Sequence, residues 1–226
     1  MTDTVLDRPA GEVPSPPPQP RVRADSPKSH RTRARILDAA ARLFAELGYA
    51  GATNARIAEA ADLTRGAMLY HFAAREDLVT AAIAHLQRRR TALFQEAAAA
   101  RPAQADASDY AIESYWRLLH TTPFRAFAEL EAAARTDAWL AQALRPAQEA
   151  FDRAQLGHDA EHLLQAGAGS RFQASRDLPR FLLEGLARAT LADDAEGRTA
   201  RLLEVVKRAV HALNRKGPAQ DLWPDA

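Results

Sequence analysis

The residues best suited to chemistry lie between Thr53 and Arg75, in the stretch TNARIAEAADLTRGAMLYHFAAR. The guanidinium group of Arg65 could hydrogen-bond to both O6 and N7 of a guanine, the commonest specific contact in the major groove of DNA. Gly66 and Ala67 follow it, and these small residues would allow the backbone to approach a base pair. Ala67 could also contact a thymine methyl group. A solvated surface charge is the alternative interpretation of Arg65.

Two short helices joined by a tight turn would position these residues. Thr53 and Thr64 are suited to cap the N-termini of the two helices. Asp62 stands in the turn between them, where a residue that tolerates positive φ is needed. Met68 and Phe72 would face inward from the second helix, which leaves its other side chains outside. This pattern predicts a helix-turn-helix, which places its second helix in the major groove with its N-terminal residues at base edges.

A third amphipathic helix precedes this pair. It is predicted from about Arg31 to Leu47, with apolar residues at helical spacing and with Gly48 as its C-terminal stop. The three helices would share one small core, and its predicted members are Ile36, Leu43, Phe44, Leu47, Ile57, Met68 and Phe72.

Residues 35 to 78, RILDAAARLFAELGYAGATNARIAEAADLTRGAMLYHFAAREDL, resemble the DNA-binding domain of the TetR family of bacterial transcriptional regulators. The resemblance rests on the pattern A-x-x-L-F-x-x-x-G-Y in the first helix and on the capping Thr53. The pair Ile57-Ala58 and the closing histidine and phenylalanine at positions 71 and 72 also match. The resemblance implies that the long helix after this domain transmits the state of a bound ligand to it.

Three positions depart from the family pattern. The common turn glycine is Asp62 here, and the usual tyrosine of the recognition helix falls at Leu69, with Tyr70 one position later. Leu69 has no hydroxyl group, so the tyrosine contact does not carry over to it. The usual lysine that opens the fourth helix is Arg75, which keeps the charge for a phosphate contact at a helix N-terminus.

Several polar residues around Arg65 would position the DNA backbone and fix the register of the protein without reading sequence. For His71, packing and hydrogen bonding at the helix end is an equal alternative to a phosphate contact. The complete set of predicted DNA-binding residues is Arg31, Arg33, Thr53, Asn54, Arg56, Thr64, Arg65, Gly66, Ala67, Leu69, Tyr70, His71 and Arg75.

Composition also divides the chain into segments. Residues 1–28 hold most of the prolines and almost no apolar side chains, which predicts a disordered tail. The basic residues that follow, including Arg31 and Arg33, would form a solvated linker or would contact phosphates and the minor groove. The predicted segments are a disordered proline-rich basic tail (1–28), a helix-turn-helix DNA-binding domain (29–75), a helical ligand-binding and dimerisation domain (76–215) and a flexible C-terminal tail (216–226).

Composition narrows the class of protein further. The chain has 226 residues, of which 47% are hydrophobic, and this is enough for a substantial core. It has no cysteine and no apolar run of about 18 residues, so we expect a cytoplasmic protein without disulfides or a membrane span. The net charge of +1 means that a surface for a polyanion must come from local clustering of charge. Without a phosphate loop, a nucleophile constellation or a dinucleotide fingerprint, neither a cofactor nor enzymatic activity is expected.

Helical patterns continue along the chain and predict an all-α fold. One long helix from Arg75 to about Ala100 would connect the DNA-binding domain to the remainder, with Arg88, Arg89 and Arg90 as a solvated stretch. The further predictions are helices at Asp109–His120, from Pro123, from a cap at Thr136 with a kink or break at Pro146, at Ser175–Leu191 and at Asp194–Arg215, and a flexible loop at 166–170.

Aromatic residues are concentrated in the first half of this second domain. Core packing explains them by default, but a helical bundle can also hold an apolar ligand between its helices. The resemblance implies that an inducer enters here, and His120 would be a polar partner for it. The candidate ligand-binding residues are Tyr115, Trp116, His120, Phe124, Phe127, Trp139 and Phe151.

The last two predicted helices carry apolar stripes wide enough for both the domain core and a partner helix. The resemblance implies a homodimer in which this helix pair forms a four-helix bundle with its copy. DNA geometry favours a dimer as well, because two headpieces on a two-fold axis read half-sites one helical turn or a multiple apart. The candidate interface residues are Phe181, Leu182, Leu186, Leu202, Val206, Val210 and Leu213.

These patterns together predict a transcriptional regulator that binds a double-stranded DNA operator in a sequence-specific way. It would be a repressor that a small, largely apolar ligand releases from the operator. The competing hypothesis is a zinc-dependent hydrolase, because His158-x-x-Glu161-His162 matches an inverted zinc-protease pattern. There the two histidines would bind Zn²⁺ and the glutamate would activate water. A solvated helix end explains this short match adequately, and a metal-responsive regulator is a further alternative.

Overall fold

The computed structural model describes the backbone of residues 27–165, 169–191 and 193–214, and the side chains of residues 27–153, 177–191 and 193–212. Within these residues the chain forms nine helices and no strand, which confirms the predicted all-α fold. No helix in this part of the chain is long and apolar enough to cross a membrane. In chain order the helices are α1 (Pro27–Gly51), α2 (Asn54–Ala60), α3 (Arg65–His71), α4 (Arg75–Ala99), α5 (Ala107–Leu119), α6 (Thr122–Ala134), α7 (Ala138–Gln165), α8 (Gly169–Arg188) and α9 (Ala195–Asn214).

Helices α1 to α3 form the headpiece, and side-chain caps explain where two of them begin. The hydroxyl group of Thr53 accepts a hydrogen bond from the backbone N–H of Arg56, at 3.4 Å. That of Thr64 accepts one from the N–H of Ala67, at 3.1 Å. Asp62 has a φ of 53° in the turn between α2 and α3. The two predicted caps and the predicted positive-φ residue are therefore confirmed.

Helix α1 is longer than predicted and is interrupted near its end. It begins at Pro27 rather than at Arg31. Gly48 has a φ of 70° and a ψ of 175°, far from helical values. A Cβ atom would make this conformation costly, so a glycine is required here. Gly48 was predicted to stop the helix, and it does break the helical conformation, but one further turn carries α1 to Gly51.

The headpiece core contains most of the residues predicted for it. The fully or almost fully buried members are Ile36, Phe44, Ile57, Met68 and Phe72. Leu43 is partly buried and packs against them. Leu47 is 46% exposed, so its assignment to the core was wrong. The turn that follows Gly48 brings Ala52 into the core instead, where this residue is fully buried.

One apolar core joins the headpiece to the body, which comprises α4 to α9. Helix α1 packs along α6, and Ala39, Ala40 and Ala126 are fully buried in the same core. Small side chains of this kind allow two helix axes to approach closely. Arg125 on α6 also donates a hydrogen bond to the carbonyl oxygen of Ala45 on α1, at 3.3 Å. Since α4 packs against α1, α6 and α7, both α4 and α6 attach the headpiece to the body.

The start of α7 and its proline differ from the sequence predictions. Asp137 caps α7, because its carboxylate accepts a hydrogen bond from the N–H of Leu140 at 2.9 Å. Thr136 was predicted to be the cap, but its hydroxyl group donates to the carbonyl oxygen of Ala133, at 3.3 Å. Pro146 lies within α7, which continues to its end at residue 165, so this proline does not mark a break.

The loop predicted at residues 166–170 is partly wrong. Helix α8 begins at Gly169, six residues before the predicted start at Ser175, so the last two residues of that segment are helical. Glycine disfavours a helix by only about 1 kcal/mol, which the packing of a whole helix can offset. Positions 166–168 lie outside the described residues, as do residues 1–26 of the predicted N-terminal tail and the whole predicted C-terminal tail, 216–226.

Candidate nucleic-acid interface and ligand cavity

Helix α3 presents the small and basic residues that could contact a base pair. Met68 is fully buried beneath it, whereas Arg65 and Gly66 are exposed and Ala67 is half-buried. A Cβ atom at Gly66 would meet no other atom within 4 Å, so the backbone is open on that side. Tyr70 is 76% exposed, and Leu69 is also exposed. The predicted inward and outward faces of this helix are as the sequence indicated.

Arg75 is held within the headpiece. Its guanidinium group donates to the carbonyl oxygens of Tyr49 (2.8 Å) and Ala52 (2.9 Å) and to the side-chain oxygen of Asn54 (3.3 Å). It also lies 4.8 Å from the centre of the Tyr49 ring. These contacts tie the first residue of α4 to the connection between α1 and α2. The structure thus directs this arginine to internal acceptors, although the sequence suggested a phosphate contact.

Three arginines of α1 donate hydrogen bonds to carbonyl groups at the C-terminal ends of α2 and α3. Arg33 donates to the carbonyl oxygen of His71 at 2.7 Å and lies 4.2 Å from the centre of the Phe72 ring. Arg35 donates to the carbonyl oxygen at position 61 (2.6 Å), and Arg42 to the one at position 60 (3.3 Å). Cations are favourable at helix C-termini, where carbonyl groups lack partners. Sequence reasoning did not assign Arg35 or Arg42, whose only signal was their position on α1.

Some of the remaining predicted DNA-binding residues form hydrogen bonds within the protein, and others are exposed and could contact DNA. The hydroxyl groups of Thr53 and Thr64 serve as caps, and Arg56 donates to the carbonyl oxygen of Gly51 at 3.0 Å while staying exposed. Arg31 is exposed at the start of α1. Arg65 is exposed and bonds to none of the described residues, so its guanidinium group is free to bind a new partner.

The structure contains a cavity of about 280 Å³ between α4, α5, α6 and α8. Tyr115, Phe124 and Phe127, three of the candidate ligand-binding residues, line it. Phe151 is fully buried, with its ring centre 5.7 Å from that of Phe124 in an edge-to-face arrangement. Four of the seven candidates are therefore at or directly behind this cavity.

The other three candidates lie elsewhere. The rings of Trp116 and His120 contact each other, with centres 4.5 Å apart, and His120 is exposed. Its Nδ1 atom lies 2.8 Å from the carbonyl oxygen of Trp116. Trp139 is 39% exposed at the start of α7. None of the three lines the cavity, so His120 is not placed as its polar group.

Arg90 supplies a charge to the cavity that the sequence analysis missed. Its two arginine neighbours are exposed as predicted, but Arg90 is only 5% exposed. The prediction of a solvated stretch was wrong for this residue because it follows the buried Leu86 by four positions and shares its helix face. The guanidinium carbon lies 3.9 Å from the centre of the Phe127 ring and 4.0 Å from that of Phe151. The spacing from Leu86 was the signal that could have identified it.

A polar network reaches the cavity through Tyr115 and Glu184, which both line it. The Oε1 atom of Glu184 accepts hydrogen bonds from the Tyr115 hydroxyl group (2.7 Å) and from Nε of Arg180 (3.0 Å). Arg180 also pairs with Asp152 on α7. Burial and the neighbouring Glu184 carboxylate raise the pKa of Tyr115, so the phenol keeps its proton and remains a donor.

Glu131 on α6 is likewise bonded to partners other than Arg90. Its two carboxylate oxygens accept hydrogen bonds from Gln148 and from Arg188, each at 3.1 Å. The Nε and Nη1 atoms of Arg90 are buried and have no hydrogen-bond partner among the described residues. Burial lowers the pKa of Arg90 to about 10, against the opposing effect of the Glu131 charge, so the guanidinium group stays charged at neutral pH.

Helices α8 and α9 expose large apolar side chains. The exposed members are Leu178, Phe181, Leu182, Leu202 and Val205, which we call the α8–α9 apolar surface. Of the other candidate interface residues, Val206 and Val210 are buried in the core of the body and Leu186 is half-buried. The side chain of Leu213 lies outside the described residues. The two valines are therefore internal packing residues of α9.

The side chains of His158, Glu161 and His162 lie outside the described residues, so the structure provides no geometry for the zinc-site hypothesis. A different trio is close together elsewhere. Nε2 of His211 lies 2.9 Å from a carboxylate oxygen of Asp109 and 3.7 Å from one of Asp106. Asp106 also caps α5 through the N–H groups of positions 108 and 109. Ion pairing and capping account for these contacts.

The headpiece is similar in sequence to known DNA-binding proteins. Residues 36–82 match the family model of bacterial regulatory proteins, tetR family. TtgR, an HTH-type transcriptional regulator of Pseudomonas putida, is 45% identical over 60 residues, which cover 26% of this chain and 29% of TtgR. The chain thus spans less than a third of the length of this curated relative.

Solved structures match over most of the chain. SCO7518, a proposed transcriptional regulator from Streptomyces coelicolor A3(2), is 30% identical with a TM-score of 0.51, over 80% of this chain and 98% of its own. The multidrug binding protein EbrR in complex with ethidium is 27% identical with a TM-score of 0.53, again over 80% and 98%. No relative named here is described as a hydrolase.

The capped helix pair with its exposed second helix, set on an all-helical body, defines the class of helix-turn-helix regulators. The family model covers the same headpiece, and the solved structures cover the headpiece and the body together. The chain belongs to the TetR family of bacterial regulatory proteins.

Proposed function

We propose that this protein is a homodimeric transcriptional repressor, which binds operator DNA through α3 and leaves it when a small molecule occupies the cavity of the body. It would act in the cytoplasm, where a bacterial operator lies, and would require no cofactor. The observation that carries the proposal is the outward face of α3, where Arg65 is exposed and bonded to none of the described residues, beside the open backbone of Gly66.

In this proposal Arg65 reads a guanine, while Ala67 contacts the neighbouring base. A bidentate arginine contact of this type contributes about 1–3 kcal/mol of discrimination against the wrong base. Tyr70 and the exposed Arg31 and Arg56 would contact phosphates, which adds affinity without sequence preference. Arg33 and Arg75 would act indirectly, because their contacts hold the headpiece helices in position.

The position of the cavity supports regulation by a ligand. Arg90 on α4 and Phe127 on α6 both line it, and both helices are attached to the headpiece. A molecule that fits the cavity better in one arrangement of α4 and α6 would favour one separation of the two headpieces. A change from mostly bound to mostly free operator requires a preference of about 5 kcal/mol between the two states. The relative EbrR, solved with ethidium, supports a ligand site in this fold.

Dimerisation would follow from the α8–α9 apolar surface. A large exposed apolar patch on a folded chain commonly marks a site of contact with another protein. A two-fold dimer buries the same patch from each protomer and places two copies of α3 on successive half-sites of an operator. A dimer bound at a promoter would exclude polymerase by occupying the same DNA.

Selection of bound fragments from random duplex DNA would test the proposal and define the operator. We expect Arg65→Ala to bind this operator at least tenfold more weakly and to lose its preference at one base pair in each half-site. Arg89→Ala is the matched control, because this arginine is exposed on α4 well beyond the headpiece. Normal operator binding by Arg65→Ala would refute its assigned role. Failure of the wild-type protein to bind any duplex at low salt would refute the function.

A further inference from the structure

Arg90 is a buried charge that forms no ion pair with any described side chain. It is 5% exposed, and its Nε and Nη1 atoms have no hydrogen-bond partner among the described residues. Buried arginines are almost always paired, because a guanidinium group removed from water must recover its lost hydrogen bonds. Arg90 lines the cavity, and two of its donor atoms are not used by the described residues.

The surroundings of Arg90 favour a cation but leave its donors unused. Its guanidinium carbon lies 5.0 Å, 3.9 Å and 4.0 Å from the ring centres of Phe124, Phe127 and Phe151. Contacts with ring faces stabilise the positive charge. They provide no hydrogen-bond acceptor for the N–H groups that lie in the guanidinium plane.

The nearby carboxylates do not neutralise Arg90 through hydrogen bonds. Glu184 is bonded to Tyr115 and Arg180, and Glu131 is bonded to Gln148 and Arg188. These two acids therefore have cationic partners of their own in Arg180 and Arg188. Among the residues whose side chains are described, none is an anion bonded directly to Arg90.

We propose that the cavity binds a small organic monoanion, whose carboxylate accepts hydrogen bonds from Arg90 and whose aromatic or short aliphatic body packs on the apolar wall. This inference rests on the proposed function and assigns the chemical class of its ligand. The apolar wall is formed by side chains of α5, α6 and α8, namely Leu119, Phe124, Phe127, Ala128 and Ala187.

The size of the cavity agrees with this class. About 280 Å³ is close to the lower limit of ligand pockets, which suits a compact molecule rather than a large planar drug. A planar carboxylate matches the fork of two parallel N–H donors on arginine. A neutral or cationic molecule of the same shape would leave Arg90 unpaired, and this difference provides the basis of a test.

Three probes of matched shape separate these outcomes: benzoate, benzamide and benzylamine. Binding of each to the full-length protein would be measured by isothermal titration calorimetry, and binding at Arg90 by the NMR signal of its Nε–Hε group. We expect benzoate to bind at least tenfold more tightly than benzamide, and benzylamine to bind most weakly. We also expect benzoate to shift the Arg90 signal. Hexanoate should bind as benzoate does, because the carboxylate carries the recognition.

Variants of two neighbouring arginines test whether Arg90 causes the preference for benzoate over benzamide. Arg90→Met retains a side chain of similar length without its charge, and we expect the preference for benzoate over benzamide to disappear. Arg89→Met removes an exposed arginine one position away and should retain the preference. Because replacement of an unpaired buried charge by an apolar group is often neutral or stabilising, the Tm of ligand-free Arg90→Met should equal or exceed that of the wild-type protein.

Several results would overturn the inference. They are an undiminished preference for benzoate in Arg90→Met, equal binding of benzamide and benzoate to the wild-type protein, and no shift of the Arg90 signal with either carboxylate at millimolar concentration. Loss of helicity in Arg90→Met would assign this arginine a structural role instead. If benzoate binds at Arg90 while operator affinity stays constant, the ligand class stands and ligand control of DNA binding fails. If the protein does not bind DNA at all, the proposed function fails independently of the probe results.

Discussion

Arginine side chains perform three different tasks in this protein, and their surroundings decide which. Arg65 is exposed and has no bonded partner in the described part of the chain. Arg75 is bonded to three acceptors of the headpiece, and Arg90 is buried on three phenylalanine rings. The guanidinium group is the same in each case, with five donors and a permanent charge at neutral pH. Mutations of the three should therefore affect different measurements.

Arg75→Ala is expected to act on stability before it acts on DNA. It removes three charge-assisted hydrogen bonds and leaves the carbonyl groups of Tyr49 and Ala52 without this donor. We expect the free energy of unfolding to fall by about 2 kcal/mol, measured by urea denaturation. Binding to all DNA sequences should weaken alike. A variant of unchanged stability that loses DNA affinity would instead show a direct phosphate contact.

Gly66→Ala is expected to change stability and DNA affinity in opposite directions. Gly66 lies in the first turn of α3, and its added methyl group would meet no atom of the protein within 4 Å. We expect the free energy of unfolding to rise by about 0.5 kcal/mol, because alanine favours a helix over glycine. Operator affinity should fall about tenfold, since the methyl group would occupy space needed by a base pair. Fluorescence anisotropy with labelled operator measures this affinity. An unchanged affinity of Gly66→Ala would show that the DNA lies farther from α3.

At the scale of helices, short polar side chains fix the starting points of the elements. Thr53, Thr64, Asp106 and Asp137 each accept a hydrogen bond from a backbone N–H in the first turn of the helix that follows. These groups have no partner within the helix itself. The caps determine where α2, α3, α5 and α7 begin, and thereby which residues reach the interface and the cavity.

The cap of α5 should make stability depend on pH. Two backbone N–H groups donate to the carboxylate of Asp106 and lower its pKa below the ordinary value of 3.8. A carboxyl group whose pKa is lower in the folded than in the unfolded chain stabilises the fold above its unfolded pKa, and this contribution is lost as the pH falls through the folded pKa. We expect the Tm advantage of the wild-type protein over Asp106→Asn to shrink below about pH 4. A constant difference from pH 6 to pH 3 would refute the role of the charge.

At the scale of the whole molecule, the proposed function requires a dimer that places two headpieces on one operator. In the proposed dimer, the α8–α9 apolar surface pairs with its copy. The two bodies are then joined at α8 and α9. A ligand in the cavity beside α4 and α6 can alter the separation of the two α3 helices. Such an arrangement couples a small internal movement to DNA affinity, because half-sites are spaced by whole turns of the duplex.

Phe181→Asp tests this assembly. Phe181 is 61% exposed in the single chain, and a charge at the centre of an apolar interface would be buried without a partner. We expect the variant to be monomeric by sedimentation equilibrium and to lose at least tenfold in operator affinity. Trp139→Asp changes another exposed aromatic residue, on α7, and should remain dimeric. A dimeric Phe181→Asp protein would show that the interface lies elsewhere.

Much of the headpiece could be predicted from sequence because its determinants are local. The threonine caps, the positive φ of Asp62 and the inward positions of Met68 and Phe72 depend on residues within one or two turns of each other. The boundary at Thr136 was wrong because Asp137, one position later, provided the acceptor that was used.

The sequence by itself determined the all-helical class, the capped helix pair and the exposure of Arg65, since helical periodicity and capping act over short distances. Only the tertiary structure decided that Arg75 turns inward and that Arg90 enters a cavity between α4, α5, α6 and α8. Whether a charged side chain meets water, a carbonyl group or an aromatic ring depends on helices that are distant in the chain. The spacing from Leu86 indicates only that Arg90 shares an inward helix face. The packing of distant helices brings Phe124, Phe127 and Phe151 around it, and no local pattern identifies those partners.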